Sequence, residues 1–280
     1  LSAALTGAIT TREQCPAIPY TPQEIADEAA RAYDAGASIV HIHARTDDGY
    51  PDWRVETFAA IKAAVHERCP EVIINFSTGA VGIAREERIA HIQSVRPEVA
   101  ALNMGSMNYA IYSANKKRFY HDHVFANPFS DIMFFLEAMN ASGVRPELEC
   151  FDTGHIGNSA PLIDLGLLRP PYQFSFIMGV LGGIPATAEN LANQKRNLPE
   201  GAHWQVIGIQ RQQWQMVAAA LTLGGSIRVG LEDNFYLPDG SMARSNGELV
   251  AAAARLAQQL GRTVASAAET RTILGLNNAS

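Results

Sequence analysis

The chain has 280 residues, 47% of them hydrophobic, and 28 acidic against 22 basic side chains give it a formal net charge of −6. That length suits one (β/α)8-sized domain, and a mean hydropathy of −0.04 leaves enough apolar material for a sizeable core. General nucleic-acid binding is excluded, because the one basic cluster, Lys116-Lys117-Arg118, reads as a solvated loop.

No apolar run approaches the roughly 20 residues of a membrane span, and no charged flank followed by an apolar leader is present. The expectation is therefore a soluble, cytoplasmic protein. Cys15, Cys69 and Cys150 are odd in number and far apart, which excludes a disulfide framework and a Cys-x-x-Cys metal site. Any metal must then be held by His and carboxylate.

In chain order, short β-rich runs alternate with helix-period segments. AALTGAI, residues 3–9, reads as a first strand. TPQEIADEAARAYDAG follows as a helix, with Thr21 as N-cap, Pro22 at its first position, Glu24 completing a capping box and Gly36 near its end. SIVHIHA, residues 38–44, is the second strand, with a helix over 54–68. EVIINFST, 71–78, is the third, with a helix over 86–95. VAALN, 99–103, is the fourth, with a helix over 130–142. PELECFD, YQFSFIM, HWQVIGI and SIRVGLE supply strands five to eight. Eight strands, most followed by a helix, predict a single TIM (β/α)8 barrel over residues 1–280. A doubly wound sheet is the alternative, disfavoured because no Gly-x-Gly-x-x-Gly follows the first strand.

Barrel active sites lie at the C-terminal strand ends, and polar residues gather there. His41 and His43 share one face of the second strand, since side chains two apart point the same way. Ser77-Thr78-Gly79 closes the third strand and Asn103 the fourth, while Glu147 and Glu149 share a face on the fifth. Arg228 lies in the eighth, followed by Glu232-Asp233-Asn234. Closure places strand eight beside strand one and hence near strand two, so Glu232 reaches the space above His41 and His43. Two His and one carboxylate form a recurring catalytic zinc set with open positions. Asp233, the next residue, points elsewhere and is free to act as a base. STGAVG offers a hydroxyl and backbone N–H groups for an oxyanion. Arg211, in GIQRQQWQ after strand seven, lies where many barrels bind phosphate. Asp122, between His121 and His123, reads as part of a structural polar loop, and His155 has no evident partner.

VHIHAR, STGAVG, ALNMGSMN, PELECFDTG and RVGLEDN, in this order, resemble the β-keto acid cleavage enzymes over nearly the whole chain. The resemblance implies a zinc-dependent TIM barrel, usually a homo-oligomer (dimer or tetramer), that converts a β-keto acid and acetyl-CoA to acetoacetate and a new acyl-CoA. It implies His41, His43 and Glu232 as zinc ligands and Asp233 as general base with Arg228 beside it. Ser77 and Asn103 take the place of substrate-orienting residues. Glu149 is read from its strand face as a further substrate-binding acid, able to support a positively charged tail. Two positions depart from the pattern. Ile9 stands where aminohexanoate-cleaving members carry an acidic residue, which implies a substrate tail that is neutral or a quaternary ammonium rather than a primary amine. Ala101 replaces a threonine, which alters hydrogen bonding but spares metal and base. The competing expectations are a metal-dependent hydrolase of the amidohydrolase kind, which also uses His-x-His, and a non-catalytic, metal-stabilised binding module.

Overall fold

A computed structural model describes residues 1–276 of the chain. Eight parallel strands close into a barrel: β1 (Ser2–Ala4), β2 (Ile39–Ile42), β3 (Ile73–Phe76), β4 (Val99–Asn103), β7 (Arg145–Cys150), β8 (Gln173–Met178), β9 (His203–Gly208) and β10 (Ser226–Val229), with β1 pairing both β2 and β10. Around the barrel lie α1 (Pro22–Asp34), α2 (Val55–Arg68), α3 (Arg85–Val95), α4 (Phe129–Ser142), the short α5 (Thr153–Gly157) and α6 (Ser159–Asp164), α7 (Ala188–Arg196), α8 (Gln213–Leu223) and α9 (Asn246–Gln259), and α10 (Ala267–Leu274) ends at one mouth. The expected barrel is thus present. Its strands read as apolar runs because those with helices on one side and a filled interior on the other are buried on both faces. The capping box at Thr21 and Glu24 forms as expected, closing the first turn of α1.

Two expectations on element bounds are corrected. The first strand stops at Ala4 instead of Ile9, because Gly7 adopts a φ of +66° and turns the chain across the rim. The last strand stops at Val229 instead of Glu232. Gly230, at φ +149°, passes so close to β1 that a Cβ there would lie 2.1 Å from the Ala4 carbonyl oxygen. Glu232 and Asp233 therefore sit on a turn, free to aim two adjacent side chains in different directions.

The residues between β4 and α4 form an antiparallel hairpin, β5 (Met107–Ser113) and β6 (Arg118–Phe125), rather than a polar loop. Lys116 and Lys117 lie in its turn, and Asp122 pairs across it with Ala110. At its base Met107 and Phe125 pack on Phe151, Ile177 and Ile207, so the hairpin leans over the mouth of the barrel. The opposite mouth is plugged by Ile39, Ile73 and Val99 against Leu274 and Leu276. Between these apolar ends the interior is polar: Ser2, Asn75, Glu147, Ser175 and Gln205 are all buried there, where many barrels stack branched aliphatics.

Candidate active site

The site is built from strand ends that the register brings side by side. His41 pairs with Asn75 across β2 and β3, Asn103 with Glu149 across β4 and β7, and Ser2 with both Ile39 and Arg228. His41 and His43 lie on one face, their rings 5.2 Å apart in an edge-on arrangement. Glu232 swings back from its turn so that its Oε1 is 3.7 Å from His41 Nε2 and 3.5 Å from His43 Nε2. Ligands held tetrahedrally by zinc at about 2.1 Å are spaced roughly 3.4 Å apart, so this trio fits such an ion. The second carboxylate oxygen, Glu232 Oε2, is buried without a partner, as expected of a ligand atom.

Electrostatics keep His41 and Glu232 in their ligating forms. Burial, with Arg228 and His43 adding to it, drives the His41 pKa well below 6.5 against the pull of Glu232, so this imidazole is neutral. Burial alone would raise the Glu232 pKa, but Arg228 holds it well below the usual carboxylate range. Neutral imidazole and ionised carboxylate are the species that bind a metal.

Arg228 organises the acids next to this trio. Its Nε donates to Asp233 Oδ2 at 2.9 Å, and its Nη2 donates to Asp233 Oδ1 at 2.9 Å and to Glu232 Oε1 at 2.8 Å. Its Nη1 faces Glu149 Oε1 at 3.6 Å and has no hydrogen bond of its own. Burial and then Glu232 raise the Asp233 pKa to about 6 despite the arginine. Glu149, buried beside Glu147, is raised further, to about 8. Ser77 and Asn103, both buried, flank one point: a Cβ on Gly79 would lie 3.4 Å from Asn103 Nδ2 and 3.6 Å from Ser77 Oγ. Asn103 Nδ2 has no partner.

Not every residue singled out in the sequence joins this cluster. Ile9 lies in the rim loop and is 48% exposed. Arg211 is exposed in a short 3-10 turn, its guanidinium 4.3 Å above the Tyr236 ring. His155 does have partners: it accepts from the Phe151 N–H at Nδ1, and its Nε2 lies 3.3 Å from the Ser106 carbonyl, which makes it a brace for the β4–β5 connection.

Other residues escaped the sequence reading. Arg45 donates to the carbonyls of Gly7, Thr10 and Gly49, tying the rim loops together. His91 on α3 stacks on Phe58 at 3.7 Å and places its Nε2 3.0 Å from the Ser77 carbonyl, fixing that residue from behind. Tyr109 on β5 faces the cluster from above, where burial and then Glu232 and Asp233 push its phenol pKa up. Only the helical spacing and buried patterning of His91 were visible locally; the others depend on contacts between distant loops.

Against known proteins, the family model described as beta-keto acid cleavage enzyme matches residues 1–276. A 3-keto-5-aminohexanoate cleavage enzyme from Fusobacterium nucleatum is 42% identical over 99% of this chain and 97% of its own. A 3,5-dioxohexanoate:acetyl-CoA acetone transferase from Paraburkholderia graminis is 34% identical over 100% of this chain and 96% of its own. Among solved structures, apo ObcA superposes with a TM-score of 0.79 at 23% identity, over 93% of this chain and 66% of that one, a likeness of fold. The hydrolase alternative has no support: the match runs the length of the chain to a different family.

Proposed function

This chain belongs to the β-keto acid cleavage enzyme family, and on that premise we propose that it takes a β-keto acid and acetyl-CoA to acetoacetate and a new acyl-CoA, with a divalent metal, zinc by its donor set, on His41, His43 and Glu232. The observation that carries the reading is the convergence of three ligating atoms within 4.8 Å of one another, beside a carboxylate clamped by Arg228. When bound, the metal supplies Lewis acidity toward the keto and carboxylate oxygens of the substrate.

The chain's own residues do the rest. Asp233 removes the α-proton, held in line by two hydrogen bonds from Arg228. Arg228 Nη1, which has no hydrogen bond within the protein, is available to the substrate carboxylate. Asn103 Nδ2 and the Ser77 hydroxyl orient the keto acid. The α-carbon then attacks the thioester carbonyl of acetyl-CoA and displaces the CoA thiolate. That thiolate attacks the former keto carbon, the bond to the α-carbon breaks, the resulting enolate takes back the proton held by Asp233, and acetoacetate leaves. Ile9 borders the acyl tail and Arg211 the phosphates of CoA from the rim.

Assembly as a homo-oligomer, dimer or tetramer, belongs to the same proposal. It is supported by Phe119 and Val124, which stand 55% and 62% exposed on the hairpin. No helix among the described residues is long and apolar enough to cross a membrane. A cytoplasmic site of action is supported by the three unpaired, buried cysteines and by an acetyl-CoA co-substrate.

Paired variants test the site. Glu232→Ala is expected to lose bound metal and turnover together. Asp233→Asn is expected to keep the metal while turnover falls by about two to four orders of magnitude, the usual size of general-base catalysis. Metal analysis and turnover on both proteins decide it: full metal occupancy in Glu232→Ala removes that ligand, and near-normal turnover in Asp233→Asn removes the base.

A further inference from the structure

The buried middle layer of the barrel contains an acid that the reaction does not use. Glu147 is 0% exposed and lies below the site on β7. Its Oε1 accepts from Ser175 Oγ and, at 2.6 Å, from Gln205 Nε2; its Oε2 accepts from Asn75 Nδ2. Gln205 is itself fixed, donating to Ser175 Oγ at 2.9 Å and accepting from Ser2 Oγ at 2.9 Å. A carboxylate offers only acceptors, so every neighbour must present a donor to it. The consequence falls on Asn75. With Nδ2 committed to Glu147, its amide can turn only Oδ1 toward what lies on its other side.

On that other side lies His41. The two residues are paired in register across β2 and β3, and the Asn75 side chain acts on the imidazole by favouring its protonated form. His41 Nδ1 and Asn75 Oδ1 are both buried and neither has a hydrogen-bond partner, which leaves each open to the other. The opposite ring nitrogen, Nε2, faces Glu232. An acceptor at Nδ1 requires the ring proton to sit there, which leaves the Nε2 lone pair pointing into the trio. Ala101, the register partner of Glu147 on the intervening β4, carries only a methyl group and leaves room for Asn75 and Glu147 to meet across that strand. A bulkier or hydroxyl-bearing side chain would compete for the same carboxylate.

We propose that Glu147, acting through the amide of Asn75, sets the tautomer of His41 and so positions this imidazole for metal. Glu147 is a positioning residue, one step removed from the ion. The inference rests on His41 being a ligand, as in the function proposed above. His41, Glu147 and Glu149 also offer ligand atoms close together, but a cation among them would have to displace the three donors that Glu147 already accepts.

The isosteric substitution Glu147→Gln gives a sharp test because it reverses the polarity of the chain. The new amide oxygen still accepts from Ser175 and Gln205, but its NH2 group now faces Asn75. The Asn75 amide must turn round, present Nδ2 to His41 Nδ1 and drive the ring proton to Nε2. Two readouts follow on the purified full chain: histidine 15N chemical shifts without metal, and Zn2+ affinity by competition with a chelator. In the parent protein His41 is expected as the Nδ1–H tautomer. In Glu147→Gln it switches to Nε2–H and Zn2+ affinity falls about 10- to 100-fold, the usual cost of losing a partner behind a ligand. Adding Asn75→Asp restores an acceptor for both neighbours, so the double variant should return to Nδ1–H and regain most of the affinity. A merely structural role for Glu147 would give no such rescue.

Should Glu147→Gln not fold, Asn75→Leu carries the test. It leaves Glu147 with Ser175 and Gln205, and should lower Zn2+ affinity to the same degree. An unchanged tautomer and affinity in Glu147→Gln, a double variant no better than the single one, or full affinity in Asn75→Leu would overturn the proposal. A parent protein that shows the Nδ1–H tautomer but binds no Zn2+ would instead overturn the metal site.

Discussion

Glu232 and Asp233 are neighbours in sequence, share one arginine and are proposed to do different work. The turn after β10 separates their directions, sending Glu232 toward the two imidazoles and Asp233 into the fork of Arg228. The first consequence was legible in the sequence from strand alternation and barrel closure, whereas the place of Arg228 beside Asp233 was implied only by the family resemblance. Glu147 was visible only as a face-mate of Glu149. Its partners Asn75, Ser175 and Gln205 come from three other strands, and nothing local in the sequence marks Asn75 as the residue next to His41.

Substrate choice also turns on single residues. Ile9 brings no charge to the rim, and burial raises the Glu149 pKa to about 8, so the pocket offers a primary ammonium tail less negative charge than an acid at position 9 would supply. An unpaired ammonium in a closed pocket would cost several kcal/mol. The expected outcome is a higher kcat/KM for β-keto acids with a neutral or quaternary-ammonium tail than for 3-keto-5-aminohexanoate, since that ratio reports discrimination in the transition state. A preference for the primary amine would show that another acid serves it.

Among the elements, the barrel strands and most helices fall where periodicity places them, because each must bury one face against the next layer. The failures share a cause. β1 is short because Gly7 turns the chain beside Glu232, and β10 is short because Gly230 passes against Ala4, so the need for glycine at both positions arises only from contacts distant in sequence. The hairpin β5–β6 escaped notice because most of β6 is exposed, which removes the alternation that reveals a strand.

The rim loops are held by Arg45, which appears in the sequence only as the last residue of VHIHAR. In the fold it donates to Gly7 and Thr10 on one loop and to Gly49 on another. Lysine is a point charge without the planar fork and cannot replace all three bonds. Arg45→Lys should therefore destabilise the protein by about 1–3 kcal/mol, the cost of leaving a buried acceptor unsatisfied. It should also speed amide exchange at residues 7–10. Equilibrium denaturation and hydrogen exchange check this, and parent-like values in both would mean that the loops are held by other contacts.

For the whole molecule, barrel closure is what turns scattered motifs into a site. The polar residues come from strands β2, β3, β4, β7 and β10 and from the turn after the last, and only the ring order β1-β10-β9-β8-β7-β4-β3-β2 brings the first and last of these together. The same order sets the apolar plugs at each mouth and the polar layer between them, so the site rests on a buried scaffold rather than on mobile loops alone. The family match over residues 1–276 is consistent with this, since motifs from the whole length are needed at once.

The central claim is that the acetyl group of acetyl-CoA is joined to the α-carbon of the β-keto acid while CoA passes to the other fragment. Acetyl-CoA labelled with 13C in both acetyl carbons, incubated with the enzyme and an unlabelled β-keto acid, follows that transfer directly. The account predicts acetoacetate with both labels in its terminal methyl and ketone carbons, and an acyl-CoA with none. Unlabelled acetoacetate, or cleavage of the keto acid in the absence of acetyl-CoA, would contradict it.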